Sequence, residues 1–382
     1  MEDLPSALDV AVIGGGISGL GVALEAAKAG LEVGLFEKGK LSKATSANSL
    51  RIIHGGLRYL QALDLVRIAA SMTDQAYWLK EAPRYIKSVP CLLPLERFGL
   101  RSRLPLGCAA FFYNGLSFFL CGKANGARLV SKSYVAQQAP VLGPIAPYGA
   151  LLWFDALLED PEGFASYLAG CARRFGAGVY EDTEVCEIRR VGRKFSLHCR
   201  RDSKTHALST KVVVNASGPW LNKVKEEGCK FRTTHPRFWC KAFNVILNDK
   251  LESRYAFGVR GEGRFYFFVP RRQRTALGTW YVPFSGDLEN IVVEEGEVMD
   301  FLESVNRALP SFAFGLKDVE SVECGILPML KHGRRGPVLY GAERLNDCGG
   351  FIDVLSTKYT TFRHQALRVM QLIRPYLADQ KV

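Results

Sequence analysis

The run Gly14-Gly15-Gly16-Ile17-Ser18-Gly19 constrains this chain more than any other feature of its sequence. It follows Asp9–Ile13, an apolar stretch of Val, Ala and Ile that reads as a buried strand. It opens Ile17–Ala29, which reads as a helix stopped by Gly30, and Leu31–Phe36 then reads as a second strand. A G-x-G-x-x-G run is weak evidence alone, but between a strand and a helix it has a definite physical meaning. Gly14 permits the tight turn, Gly16 lets the backbone approach a pyrophosphate, and Gly19 lets helix and strand close on each other. The free amides and positive end of the helix then face the phosphates. Glu37 ends the second strand about twenty residues on, where a carboxylate accepts ribose hydroxyls and repels a 2′-phosphate. Ile13, Gly15, Ile17 and Ser18 complete the loop.

The remaining chain is long enough for two or three domains. His54–Glu81 reads as a helix, with Leu57, Leu60, Leu63 and Val66 on a helical repeat. From Pro90 to Pro147 the composition shifts to Pro, Gly, aromatic and basic residues, which reads as an insertion or cap. Gly163–Phe175, Glu294–Leu309 and Thr360–Leu377 read as helices. Residues 178–191, 194–200, 212–214, 338–340 and 351–355 read as strands, and Arg237–Phe284 as antiparallel sheet. The expected fold is mixed α/β, a Rossmann-type nucleotide domain with an inserted antiparallel-sheet substrate domain. The nucleotide domain is assigned to residues 1–88, 150–225 and 323–382, and the substrate or cap domain to 89–149 and 226–322.

The formal net charge of +12 admits three partners: nucleic acid, an anionic membrane surface or an anionic ligand. No nucleic-acid motif occurs, so nucleic acid is not expected. The ten cysteines have irregular spacing, with no CxxC and no zinc-like Cys/His pattern. That favours reduced thiols, a cytoplasmic setting and no metal. The acidic opening Met1–Pro5 does not read as a signal peptide, and no stretch reads as a membrane-spanning helix. Leu104–Leu120 carries Phe111, Phe112, Phe118 and Phe119 and is flanked by Arg97, Arg101, Arg103 and Lys123. It reads either as an interfacial anchor on the cytoplasmic membrane face or as a core segment.

The segment Ala44-Thr45-Ser46-Ala47-Asn48-Ser49 followed by Ile53-His54-Gly55-Gly56-Leu57-Arg58-Tyr59-Leu60 closely resembles the A-T-S-x-x-S…I-H-G-G-L-R-Y-L run of FAD-dependent glycerol-3-phosphate dehydrogenases. These belong to the D-amino-acid-oxidase-like flavoprotein superfamily. Val214–Trp220, Leu277-Gly278-Thr279 and Lys358–Arg363 resemble further motifs of that family in the same order. The resemblance implies FAD as cofactor, with Thr45, Ser46, Ser49, His54, Gly55 and Gly56 along it. It extends the cofactor set to Lys38, Val185, Ala216, Gly218, Trp220, Gly325, Lys358 and Thr360. A helix starting near Thr360 would turn its positive end toward the flavin. Arg58, Tyr59, Lys358 and one of Arg334 and Arg335 would meet a small anionic substrate.

Several positions depart from the family pattern: Asn244 stands where the family has histidine, Leu327 where it has arginine, Trp280-Tyr281 where it has T-D, and Ser356-Thr357 where it has two glycines. His54 is then the one histidine inside a site motif. It reads either as the base for a hydroxyl proton or as a residue packed on the flavin. The resemblance implies oxidation of a small anionic alcohol, such as glycerol 3-phosphate, by hydride transfer to flavin. An amine or amino-acid oxidase of the same superfamily and a flavin-binding partner without turnover stand as alternatives. Quinone, oxygen and a protein all stand as electron acceptors.

Overall fold

The computed structural model describes residues 3–224, 236–248, 251, 253–261, 264–333 and 336–377. The chain opens with β1 (Ala7–Ile13), α1 (Ile17–Lys28) and β2 (Val33–Phe36), the β-α-β unit expected from the glycine run. Val10–Ile13 pair in parallel with Val33–Phe36, and all of β2 is buried, as befits a strand covered on both faces. α1 ends in a Schellman turn: Gly30 takes φ +79°, its N–H bonds Ala27 O, and the Leu31 N–H bonds Ala26 O.

Next come β3 (Ile52–Ile53), α2 (Leu65–Glu81), β4 (Ile86–Pro94), α3 (Arg103–Cys121), β5 (Arg128–Val130), α4 (Lys132–Gln138) and β6 (Ala150–Leu158). α5 (Pro161–Arg174) leads to β7 (Gly178–Tyr180), β8 (Glu184–Val191), β9 (Lys194–Arg201) and β10 (Lys204–Asn215). β11 (Phe238–Leu247), β12 (Ala256–Arg260), β13 (Phe265–Arg271) and β14 (Arg274–Phe284) precede α6 (Glu295–Ala308). β15 (Val319–Gly333), β16 (Gly336–Leu339), β17 (Arg344–Asp347), β18 (Phe351–Leu355) and α7 (Phe362–Leu377) close the chain.

The helix expected over His54–Glu81 is broken. Gly56 adopts φ +90° and Leu63 φ +49°, so Leu57–Ala62 forms only a short 3₁₀ turn. α2 starts afresh after Asp64, whose side chain caps the Arg67 N–H.

The strands form two sheets. The first runs β17-β18-β10-β1-β2-β7, with β8 and β9 extending from β10, and its central strands are parallel. The second runs β16-β15-β11-β14-β13-β12-β4-β6-β3 and is antiparallel except where β12 meets β4. This is the expected mixed α/β architecture. The division between sheets differs from the domain limits drawn at 150 and 323, because β6 and β15 both belong to the second sheet.

Trp78 joins three helices behind the first sheet. It stacks on Phe362 of α7, with ring centroids 5.0 Å apart, and meets Phe164 of α5 edge-on at 5.3 Å. Asp74, one turn earlier on α2, is buried and accepts the His364 N–H at 2.9 Å near the start of α7. The positive end of α7 thus has its own carboxylate, which the sequence does not anticipate. Burial pushes the Asp74 carboxyl up to about 6, against the pull of the His364 N–H and the Arg363 charge.

Truncating Trp78→Ala should cost about 3–5 kcal/mol, read from urea denaturation. Asp74 has a folded pKa above its unfolded value, so the native state binds its proton more tightly. Stability should therefore fall as pH rises from about 4 to about 6, by roughly 3 kcal/mol from this group. Asp74→Asn should flatten that part of the profile, and an unchanged slope would refute the assignment.

Candidate active site

The glycine loop forms one wall of a crevice of about 930 Å³. Gly14 adopts φ +104°, and a β-carbon there would lie 2.7 Å from Ala216 O. Glu37 closes the loop from below: Oε2 accepts the Gly15 N–H at 2.6 Å and Oε1 the Gly39 N–H at 3.0 Å. The carboxylate is thus oriented by backbone and still lines the crevice. Gly16 and Ser18 line it too, and their amides precede the first helical bond, from Leu20 N–H to Gly16 O.

The loop over 44–51 forms the facing wall, and it is tied down at each step. Ser46 Oγ accepts the Ile17 N–H at 3.0 Å, at the mouth of α1. Thr45 Oγ1 both donates to Ile326 O and accepts the Ile326 N–H, at 3.1 and 3.0 Å. Gly325 has no side chain because Thr45 occupies that place; a β-carbon would lie 2.8 Å from Thr45 Cγ2. Asn48 O accepts from Asn244 Nδ2 at 3.1 Å, and Ser49 O from Arg271 at 3.0 Å. Arg51 and Arg271 both bond Glu323, at 2.5 and 2.7 Å. Burial brings the Arg271 guanidinium down to about 10, against the pull of Glu323.

Asn244 therefore has a structural task. It is buried, its Oδ1 accepts from Thr279 Oγ1 at 2.8 Å, and its amide holds Asn48. Thr45 likewise braces β15 as well as facing the crevice.

His54 and Gly55 follow this loop in the chain, and the His54 side chain is partly exposed. The His54 N–H donates to Thr360 Oγ1 at 3.1 Å, and its Nδ1 lies 3.2 Å from Asp155 Oδ2. The Gly55 N–H donates to Asp155 Oδ1 at 2.7 Å, and Gln75 Nε2 bonds Ile53 O at 2.9 Å. Asp155 is buried on β6, and burial alone would raise its pKa. The hydrogen bond and charge of His54 and the Gly55 N–H outweigh burial and hold it below the ordinary carboxylate range. Gly55 has no room for a side chain. A β-carbon there would lie 2.1 Å from the Tyr113 hydroxyl and 2.9 Å from Gln75 Oε1.

Three cations gather on the ring of Tyr59. Lys358 Nζ lies 4.8 Å from its centroid, and the guanidinium carbons of Arg58 and Arg67 at 5.5 and 5.6 Å. Lys358 and Arg67 both donate to Gly341 O at 2.9 Å. Arg67 pairs with Asp64, while Arg58 is exposed and forms no ion pair among the described residues. Its charge opposes burial at the phenol of Tyr281, which lines the crevice. Leu327 also lines it, so an apolar side chain stands at that departure. Arg334 and Arg335 lie outside the described residues.

At the Glu37 side, Lys38, Trp220 and Glu289 form a latch. Glu289 Oε1 bonds Lys38 Nζ and Trp220 Nε1, both at 2.6 Å, and Lys38 Nζ lies 4.2 Å from the indole centroid. The Lys38 hydrogen bond, then that of Trp220, holds the Glu289 carboxyl below its usual range. Val185, Ala216 and Gly218 complete the lining here.

Asp155, Arg67, Glu289 and Glu323 fall outside every motif of the sequence. Asp155 alone left a signal, a carboxylate inside the apolar run Leu151-Leu152-Trp153-Phe154-Asp155-Ala156-Leu157-Leu158.

The crevice suits an extended dinucleotide. Its volume falls in the range of about 300–1,000 Å³ usual for ligand sites. Ser42 Oγ and Tyr359 Oη lie buried on its wall without a hydrogen-bond partner, as groups awaiting a polar ligand do. Fold and site together define a two-sheet dinucleotide-binding oxidoreductase. The family model described as "FAD dependent oxidoreductase" (DAO) matches residues 9–351, and the chain belongs to that family. FAD is accordingly its cofactor.

The chain is 29% identical over 342 residues to the alpha-glycerophosphate oxidase of Streptococcus pneumoniae, covering 85% of this chain and 54% of that protein. It thus spans about half the length of curated relatives it matches. Its fold is similar to that of the glycerol-3-phosphate dehydrogenase of Bacillus halodurans, with TM-score 0.71 and 20% identity, over 97% of this chain and 65% of that one. It is also similar to that of glycine oxidase from Geobacillus kaustophilus, with TM-score 0.68 and 20% identity, over 97% and 95% of the two chains.

Breaking the latch with Glu289→Ala should speed FAD release by roughly 10-fold, the loss of one or two charge-assisted hydrogen bonds. Stopped-flow transfer of FAD to an excess of an apoflavoprotein acceptor measures it. An unaltered release rate would show that the latch does not retain the cofactor.

Proposed function

We propose that this chain oxidises a small anionic alcohol, glycerol 3-phosphate or a related phosphorylated or carboxylated polyol. The carrying observation is the cluster of Arg58, Arg67 and Lys358 around Tyr59, where Asp64 pairs with Arg67 alone and leaves the group net positive. Guanidinium and ammonium donors of this kind hold phosphate and carboxylate oxygens. The names of the similar proteins, a glycerophosphate oxidase and a glycerol-3-phosphate dehydrogenase, support the same substrate class.

Bound FAD supplies the hydride acceptor. The protein's task is to orient the carbinol carbon and take the hydroxyl proton. The low pKa of Asp155 keeps it ionised, so its carboxylate accepts the proton on His54 Nδ1 and leaves Nε2 as the basic nitrogen. Thr360 Oγ1 holds the His54 backbone N–H, and Asp155 holds both the ring at Nδ1 and the neighbouring Gly55 N–H. In this reading Arg58 clamps the anion, Lys358 and Arg67 support it, and Tyr59 spaces the three charges.

Anaerobic glycerol 3-phosphate should bleach the yellow holoprotein. Arg58→Ala should lower kcat/KM by roughly 10- to 100-fold, mostly through KM, from the loss of a charge-assisted contact. Bleaching by amino acids instead of polyol phosphates, or no bleaching by any member of a broad substrate set, would overturn the proposal.

A further inference from the structure

The outward face of α3 is apolar along its whole length. Leu104, Phe111, Phe112, Phe118 and Phe119 recur at i, i+7, i+8, i+14 and i+15, and each is between 65% and 85% exposed. These positions fall on one side of a 3.6-residue helix. The opposite side, Leu106, Ala110, Tyr113 and Ser117, is buried in the protein. No charged residue occurs from Leu104 to Gly122, whereas a solvated helix carries its charges on the outer face. The loop before α3 is pinned by the Glu96 N–H on Arg101 O and lifts Phe98 and Leu100 out beside the helix, 73% and 76% exposed. An exposed apolar patch of this kind marks an interaction surface.

The surrounding charge points to the partner. Between Glu81 and Asp155 the chain carries eight lysines and arginines and a single carboxylate, Glu96. Arg97 and Arg103 are exposed at one end of the apolar face and Lys123 at the other. We infer that α3 and the 97–100 loop dock this protein on an anionic lipid surface, with the phenylalanines in the acyl boundary and the basic residues among the headgroups. α3 is long and apolar enough to cross a bilayer by length and composition. Its inner face argues for lying in the interface instead. Asn114 Nδ2 bonds Ala127 O at 2.8 Å, Ser117 Oγ bonds Lys123 O at 2.8 Å, and the Tyr113 hydroxyl fills the space left by Gly55. Docking in this pose sets the lipid surface directly behind the His54–Gly55 segment.

Flotation of the FAD-loaded full chain tests this. Binding is expected to phosphatidylcholine vesicles containing phosphatidylglycerol and to be much weaker to phosphatidylcholine alone. Phe111→Ser/Phe118→Ser/Phe119→Ser should reduce binding at least about 10-fold, with an unchanged melting temperature and flavin spectrum. Arg103→Gln and Lys123→Gln should each weaken binding to the anionic vesicles about 5-fold. Flotation of the triple variant at the wild-type level would overturn the inference. So would a wild-type protein that ignores anionic vesicles, or one that dimerises through this face and becomes monomeric in the triple variant.

Discussion

The carbonyl oxygen of Gly14 lies 1.9 Å from where a β-carbon on Gly19 would be. That close approach fixes where α1 starts relative to β1, and the rest of the site is built outward from it. Because the helix mouth sits against the strand end, Ser46 can reach the Ile17 N–H. The loop that carries Ser46 also carries Thr45, which clamps β15 through the Ile326 amide and carbonyl. The second sheet is thereby registered against the first through a hydroxyl, a carbonyl and a missing side chain at Gly325. The crevice is the gap that this registration leaves.

Charge is distributed unevenly along that gap. At the nucleotide side, Glu37 is spent on the Gly15 and Gly39 amides and Glu289 on Lys38 and Trp220, so both carboxylates hold protein in place. Near Ser49, Glu323 serves two mostly buried guanidiniums, Arg51 and Arg271, and the triad keeps a net positive charge. Removing a shared partner of this kind leaves uncompensated buried charges at a cost of about 3–5 kcal/mol. The triad therefore positions the loop at least as much as it colours the local field. The cations around Tyr59 stand on shorter supports, a shared carbonyl at Gly341 and one carboxylate, which leaves them able to respond to a ligand.

Much of this was legible in the sequence because local chemistry decides it. The glycine spacing, Glu37 and the Val-rich strands announce a parallel nucleotide-binding unit without reference to anything distant. The 44–60 run was legible as a motif, but the task of each residue within it was not. Gly55 is set by Tyr113, Gly325 by Thr45, and Asn244 by Asn48 and Thr279. Each of those partners is far along the chain, and no spacing rule reaches them. The break at Gly56 was missed because the leucine repeat continues through it, while the positive φ at Gly56 and Leu63 and the Asp64 cap decide the backbone. Arg271 opens the basic run Arg271–Arg274, and from the end of β13 its guanidinium pairs with Glu323.

The departures from the family pattern at Asn244 and Leu327 take on physical sense once their surroundings are known. A histidine exchanged for Asn244 gives up a titratable group but keeps a donor and an acceptor, and both are in use. Gly278 packs against that amide so closely that a β-carbon would lie 2.0 Å from Oδ1, so the position is fitted to a short side chain. At Leu327 the loss is of charge, and the crevice wall there becomes apolar. On the proposed reading the attraction for an anion then comes from the Arg58–Arg67–Lys358 group, which approaches from the 57–62 turn, the start of α2 and the β18–α7 turn rather than from the sheet. Arg58 and Lys358, held on turns, can shift with a ligand, whereas a residue on a central strand is fixed by the register of the sheet. On the same proposed reading His54 is the proton acceptor, and its orienting carboxylate, Asp155, lies on β6 of the sheet that also holds Asn244.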